Sequence, residues 1–215
     1  MEYLQSLMQD ADLVHFVTTV YVCNLATWGC LAIFYELCHH FRLFQDRLVR
    51  PVGNYPPPDL IKAALIQNLL GNLVLYPIFA VLIYKIYVHI HGSVPLEWPA
   101  LPLIPFQILF CMLVEDTMFY WTHRTLHHRR IYKYIHKQHH KFRDSIGLAA
   151  EYAHPVENLF GNVVPLWMGP MLLNASLPII CLWFVDSTAF CTLVMTLLWP
   201  AIKLTLCLVF CNALN

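Results

Sequence analysis

The chain has 215 residues, 59% of them apolar, and 13 Lys or Arg are balanced by 13 Asp or Glu. A soluble domain carries about 45–50% apolar residues, so this composition excludes one and points to an integral membrane protein. The zero net charge hides a local excess, because Arg124, Arg129, Arg130, Lys133, Lys137, Lys141 and Arg143 crowd into twenty residues.

The N-terminus, MEYLQSLMQDAD, is acidic where a secretory signal is basic, so no cleavage is expected and the first apolar run is read as an anchor. A bilayer core about 30 Å thick takes about 20 mainly apolar residues per helix. Leu13 to Tyr35 meets that length without a charge, and the proline-rich PVGNYPPPD (51–59) then breaks any helix. Ala63 to Tyr84 is a second span between Lys62 and Lys85. Leu101 to Val114 begins a third and runs into Glu115 and Asp116.

Short loops rich in Lys and Arg stay in the cytosol. Arg42, Arg47, Arg50 and Lys62 flank the first connector, whereas residues 86–100 hold no Lys or Arg. The third span therefore delivers residues 120–145 to the cytosol, in agreement with their own cations. Beyond Asn158 the apolar sequence is punctuated by Gly161, Pro165, Gly169, Pro170 and Pro178. Residues 159–185 read as a broken or re-entrant pair of half-spans, and 187–210 as a further apolar segment containing Lys203. Eight cysteines, mostly in apolar runs and without a CxxC pair, read as buried filler.

The cytosolic stretch holds the chemistry. His123 and His127 are four apart, and His136, His139 and His140 form H-x2-H-H, so each group can present ring nitrogens to one point of a helix face. At about 100° per residue, one straight helix aims the two groups in opposite directions. A shared site requires the chain to turn between roughly His128 and Tyr134, although RRIY contains no glycine or proline. Asp116 and Tyr120 fall on the stripe of His123 and His127, where Asp116 is placed to accept the second ring N–H of a ligating imidazole. Lys and Arg alone would serve a lipid-binding surface, so the histidines imply metal; all-nitrogen ligation suits Fe, Zn, Cu or Ni. His15, His39, His40, His89 and His91 border or enter spans and read as interfacial or packed residues.

The segments DTMFYWTHRTLHHRRIYKYIHKQHHKF (116–142) and AAEYAHPVEN (149–158) resemble the fatty acid hydroxylase and sterol desaturase superfamily, within it the sterol C4-methyl monooxygenase group. The likeness runs approximately from residue 44 to 185. It implies an all-α, multi-pass protein of the endoplasmic reticulum membrane whose helical bundle carries a cytosolic histidine-rich cap. It further implies a non-haem di-iron centre, with electrons from NAD(P)H delivered through cytochrome b5 and its reductase. Such a centre oxidises a C–H bond of a sterol or fatty acyl substrate with O2.

Matched residue by residue, His123 and His127 correspond to the first histidine box and His136, His139 and His140 to the second. His128 is adjacent, and His154 matches an H-P motif as an additional ligand. Asp116 and Tyr120 are the candidate catalytic residues, and the basic 124–143 surface is the expected docking face for cytochrome b5. No nucleic-acid partner is expected.

The family pattern contains a third box, H-x2-H-H, and this chain has no histidine after His154. Its last thirty residues form a plain apolar tail, divergent after about 185. The expected division is therefore membrane helices over 1–115, the histidine-box region over 116–158 and an apolar segment over 159–215. The metal count then has three outcomes: completion by water or by Glu151 and Glu157, a single metal, or a non-catalytic membrane isoform that partners lipid-modifying enzymes. A metal transporter would carry polar ligands across the bilayer midplane, whereas the histidines here gather at one end.

Overall fold

The structure is a computed structural model that describes residues 10–41, 43, 56–142 and 151–193. The proline-rich connector at 51–55, Arg143 and the tail from residue 194 lie outside the described residues. Helices account for all regular structure among the described residues, with no strand. The first, α1 (Ala11–His40), begins where the Asp10 carboxylate accepts from the Leu13 backbone N–H at 3.0 Å. The second span starts at Pro58, whose fixed φ and missing N–H suit a first helical turn. It runs as α2 (Pro58–Leu70), widens into a π turn over Gly71–Leu75, and continues as α3 (Tyr76–His91). Gly92, at φ 85°, ends it in a conformation that favours glycine. After a 3-10 turn at Leu101–Leu103 comes α4 (Ile104–Leu126). Among the described residues three segments, Ala11–Phe34, Pro58–His91 and Leu101–Leu126, are long and apolar enough to cross a membrane.

The chain then makes α5 (Arg129–Tyr132), a 3-10 segment at His136–Lys141 and the single turn α6 (Pro155–Glu157). A π segment, Asn158–Val163, leads into α7 (Val164–Leu173), and α8 (Leu177–Leu193) returns. The reversal falls on Asn174, a left-handed residue at φ 48°, a conformation asparagine tolerates. Residues 158–193 are thus two antiparallel pieces, as the Gly and Pro punctuation suggests. One boundary is corrected: α8 passes through Asp186 and Ser187 unbroken to Leu193, so no new segment begins at 187. One acid in an apolar helix does not break it, because an acid lacks the ring that makes proline incompatible with a helix interior.

The core lies where α1, α3, α4, α7 and α8 meet, around the fully buried Phe16, Tyr87, Ile179, Ile180 and Trp183. Burying one such side chain contributes about 1.5–3 kcal/mol. Their polar atoms are satisfied: Trp183 Nε1 donates to the Leu166 carbonyl at 2.9 Å, and the Tyr87 hydroxyl donates to the Ala175 carbonyl at 2.7 Å. The Leu177 N–H donates to the Pro95 carbonyl at 2.8 Å, which ties the α7–α8 reversal to the connector after α3. Helix α4 passes α7 at closest range where a Cβ on Gly169 would stand 2.7 Å from Cys111 Cα. Cys23, Cys30, Cys38, Cys111 and Cys181 are free thiols.

This bundle sends α4 away from the 92–100 connector and leaves its last turn, with His123, at the opposite end. Helix α2 also reaches that end, where Gln67 meets Gln138.

Candidate metal centre

Helix α4 supplies His123, and His127 follows its last residue, with the His127 N–H still bonded to the His123 carbonyl at 3.1 Å. Four residues apart, the two rings share a face and their centroids are 4.9 Å apart. His128 then takes extended backbone angles, φ −62° and ψ 133°, and its Nδ1 accepts from the Arg130 N–H at 3.4 Å as the cap of α5. This is the turn that a shared site demands. A histidine cap supplies it, without glycine or proline, and the chain doubles back so that the 3-10 segment faces the end of α4.

His123, His127, His136 and His140 consequently converge, each offering one ring nitrogen, and the four atoms lie within 4.8 Å of one another. His127 Nε2 is 3.2 Å from His123 Nε2, His136 Nε2 is 3.2 Å from His127 Nε2, and His140 Nε2 is 2.9 Å from His136 Nε2. Imidazole nitrogens bound about 2.1 Å from a tetrahedral ion stand roughly 3.4 Å apart, so this cluster fits one cation.

The tautomer agrees with that fit. His136 is fully buried, and its Nδ1 is 2.7 Å from Glu157 Oε1, itself buried. With the Nδ1–H donated to the carboxylate, the Nε2 lone pair is left facing the other three rings, which is the form a metal requires. Burial holds the Glu157 carboxyl up at about 7, against the pull of the neighbouring histidines. A buried carboxylate of this kind is stabilised by positive charge at the centre.

Around the four rings stand aromatic walls and polar struts. Phe119 stacks on His123 with centroids 5.5 Å apart, and Tyr132 lies 5.8 Å from His127 and 5.7 Å from His140. His139 stacks beside His136 at 5.7 Å and stays outside the convergent four. Burial, ahead of the adjoining imidazoles, pushes its pKa down to about 4, so it is neutral. Gln67, from the membrane helix α2, joins the parts: its Oε1 accepts from Gln138 Nε2 at 2.6 Å, and its own amide donates to the Ala153 carbonyl. One π turn later, Asn72 Nδ2 reaches Glu151 Oε2 at 3.5 Å.

The sequence candidates thus separate. His123, His127, His136 and His140 come together, and His139 lies against them. His128 and His154 lie outside the convergent four, and each caps a turn through Nδ1, the latter accepting from the Val156 N–H at 3.2 Å. Asp116 and Tyr120 sit half-buried on α4, and the Tyr120 hydroxyl accepts from Arg124 at 2.7 Å. The carboxylate that meets His136 is Glu157, a partner that periodicity along α4 does not reveal because it arrives 21 residues later in the chain. Gln67 was also missed; its signal was a run of amides, Gln67, Asn68 and Asn72, inside an otherwise apolar span.

Beside this centre the helices frame a half-open cavity of about 230 Å³. Its wall is mainly apolar, includes Val20, Phe79, Leu166 and Trp167, and reaches the centre through Phe119.

Fold and site together define a multi-pass helical membrane protein with an imidazole cluster of metal-ligand geometry at one end. Residues 108–210 match the family model described as fatty acid hydroxylase. Fatty acid hydroxylase ahd1 of Mycosarcoma maydis is 40% identical over 134 residues, 60% of this chain and 35% of that protein. Methylsterol monooxygenase 1 of Danio rerio is 54% identical over 70 residues, 31% of this chain and 24% of that protein. Fatty acid hydroxylase domain-containing protein 2 of Homo sapiens is 32% identical over 144 residues, 66% of this chain and 43% of that protein. The chain thus spans less than half the length of these three relatives. No solved structure matches it.

Proposed function

We propose that this chain carries the site of an iron-dependent oxygenase of lipid metabolism, which hydroxylates or oxidises a C–H bond of a sterol, at a C4-methyl group, or of a fatty acyl chain. The convergence of His123, His127, His136 and His140 inside the family-matched segment carries this reading. These four rings would hold the metal, Glu157 would fix the His136 tautomer, and His139 is the adjacent imidazole for a di-iron form. Bound iron supplies the redox chemistry that converts O2 into an oxidant of an unactivated C–H bond. The chain's own part is to orient the ligands, to shield them with Phe119 and Tyr132, and to hold an apolar substrate in the adjoining cavity, with Asp116 and Tyr120 as catalytic candidates.

The orientation expected from the charges puts the centre at the cytosolic face of the endoplasmic reticulum, where the basic residues between Arg124 and Lys141 would receive cytochrome b5. That protein and its reductase would relay electrons from NAD(P)H. Metal analysis of the purified full chain, paired with O2 consumption driven by cytochrome b5, is the test. Bound iron with lipid-dependent O2 uptake is the expected result. Metal-free protein that still inserts into membranes would overturn the oxygenase reading in favour of a non-catalytic isoform.

A further inference from the structure

Helix α4 turns one continuous stripe of side chains outward. Phe106, Phe110, Leu113, Thr117, Trp121 and Arg124 follow one another at three- and four-residue steps, and all are exposed. From Leu101 to Trp121 the chain rises about 30 Å at about 1.5 Å per residue, the thickness of a bilayer core. Trp98 and Trp121, 61% and 59% exposed, stand at the two ends of that length, where indole rings settle at the membrane–water interface. Arg124 follows one turn beyond the hydrocarbon, at the level of the headgroups. Its guanidinium is held in an aromatic clasp: Nη1 donates to the Tyr120 hydroxyl at 2.7 Å, and Cζ stands 5.6 Å from the Trp121 ring and 5.9 Å from that of Tyr120. Among the described residues no carboxylate pairs with it, so its other N–H groups are open to an acceptor from outside the chain. A guanidinium meets a phosphate through two parallel hydrogen bonds, which a lysine cannot do. Arg129, Arg130 and Lys133, exposed next along the chain, add positive potential that disfavours a choline cation and favours a headgroup of net negative charge.

We propose that Trp121 and Arg124, braced by Tyr120, bind the phosphate of an anionic phospholipid at the bilayer surface on the histidine side of the membrane. The acyl chains of that lipid lie along the stripe from Phe106 to Thr117, and its headgroup ties down the turn of α4 that carries His123. Arg124 is thereby assigned to the bilayer, whereas Arg129, Arg130 and the lysines beyond them remain for a soluble acidic partner. The site stands apart from the cavity and does not depend on the oxygenase reading.

The test is energy transfer from tryptophan to pyrene-labelled phosphatidylglycerol on the full chain in detergent, with unlabelled phosphatidylglycerol, phosphatidylcholine and soluble cytochrome b5 as competitors. Saturable transfer is expected, with phosphatidylglycerol competing at least about tenfold better than phosphatidylcholine, as a charge-assisted fork without an opposing cation implies. Arg124→Lys keeps the charge and loses the fork, and Trp121→Leu removes the ring and keeps an apolar surface. Each is expected to weaken phosphatidylglycerol severalfold, read from the titration midpoint rather than its amplitude. Arg129→Lys with Arg130→Lys is expected to leave the midpoint within about twofold, because only a fork at the site itself distinguishes arginine from lysine. Circular dichroism and gel filtration report that each variant is folded, and Trp121→Leu carries the test if Arg124→Lys fails them. Equal competition by the two lipids, or folded Arg124→Lys and Trp121→Leu chains that bind like the parent, would overturn the proposal. So would displacement of the labelled lipid by cytochrome b5, which would give Arg124 to a protein-docking face. The assay uses neither metal nor turnover, so failure of the oxygenase reading shows separately, as metal-free or inactive protein that still holds the lipid.

Discussion

The two halves of the histidine cluster are built by different means. His123 and His127 ride on the end of a membrane-crossing helix, and regular α spacing alone brings their rings to 4.9 Å. His136 and His140 come from a six-residue 3-10 segment, a geometry with weak backbone bonds of its own. That segment is held from outside, by Glu157 across 21 residues and by Gln67 across 71. One half is therefore a property of a helix, and the other exists only when the rest of the molecule is folded around it.

Removing a ligand from the dependent half gives the largest expected effect: His136→Ala should abolish stoichiometric metal binding, read by metal analysis, while circular dichroism stays that of a helical protein. Glu157→Gln keeps an acceptor for His136 but removes its charge. Metal affinity should fall about 10–100-fold, as is usual when the partner of a ligating imidazole is changed, and competition with a chelator measures it. Gln67→Leu strands Gln138 and the Ala153 carbonyl at a cost of about 1–3 kcal/mol. It should weaken metal binding less than Glu157→Gln, and limited proteolysis should cut first around the 3-10 segment rather than in α4. If His123→Ala proved milder than Gln67→Leu, the contrast between the halves would fail. The smallest effect is expected at exposed cations: Arg129→Glu with Arg130→Glu should slow reduction by cytochrome b5 only severalfold, and only at low ionic strength.

Local signals made the self-built half legible from sequence. Three spans follow from apolar length, the His123/His127 pair from spacing, and even the turn after His127 from the demand that two opposed groups meet. The device that makes the turn was not legible, because His128 is chemically the same side chain whether it binds a metal or caps a helix; its role depends on the backbone angle of a single residue. His154 went the same way. Glu157 was visible as an acid but not as the partner of His136, since that pairing depends on how residues 151–158 return to the cluster. The extension of α8 through Asp186 shows the converse, a polar residue that looks like a boundary and is absorbed by the helix.

The crossing of α4 and α7 bears on durability. Cys111 is fully buried where Gly169 lets α7 approach α4, so an oxidant has no path to its sulfur while the helices stay packed. A protein proposed to handle O2 thus keeps this thiol sealed by the tightness of its own joint, and the same glycine that permits the approach also shields the sulfur from oxidative ageing.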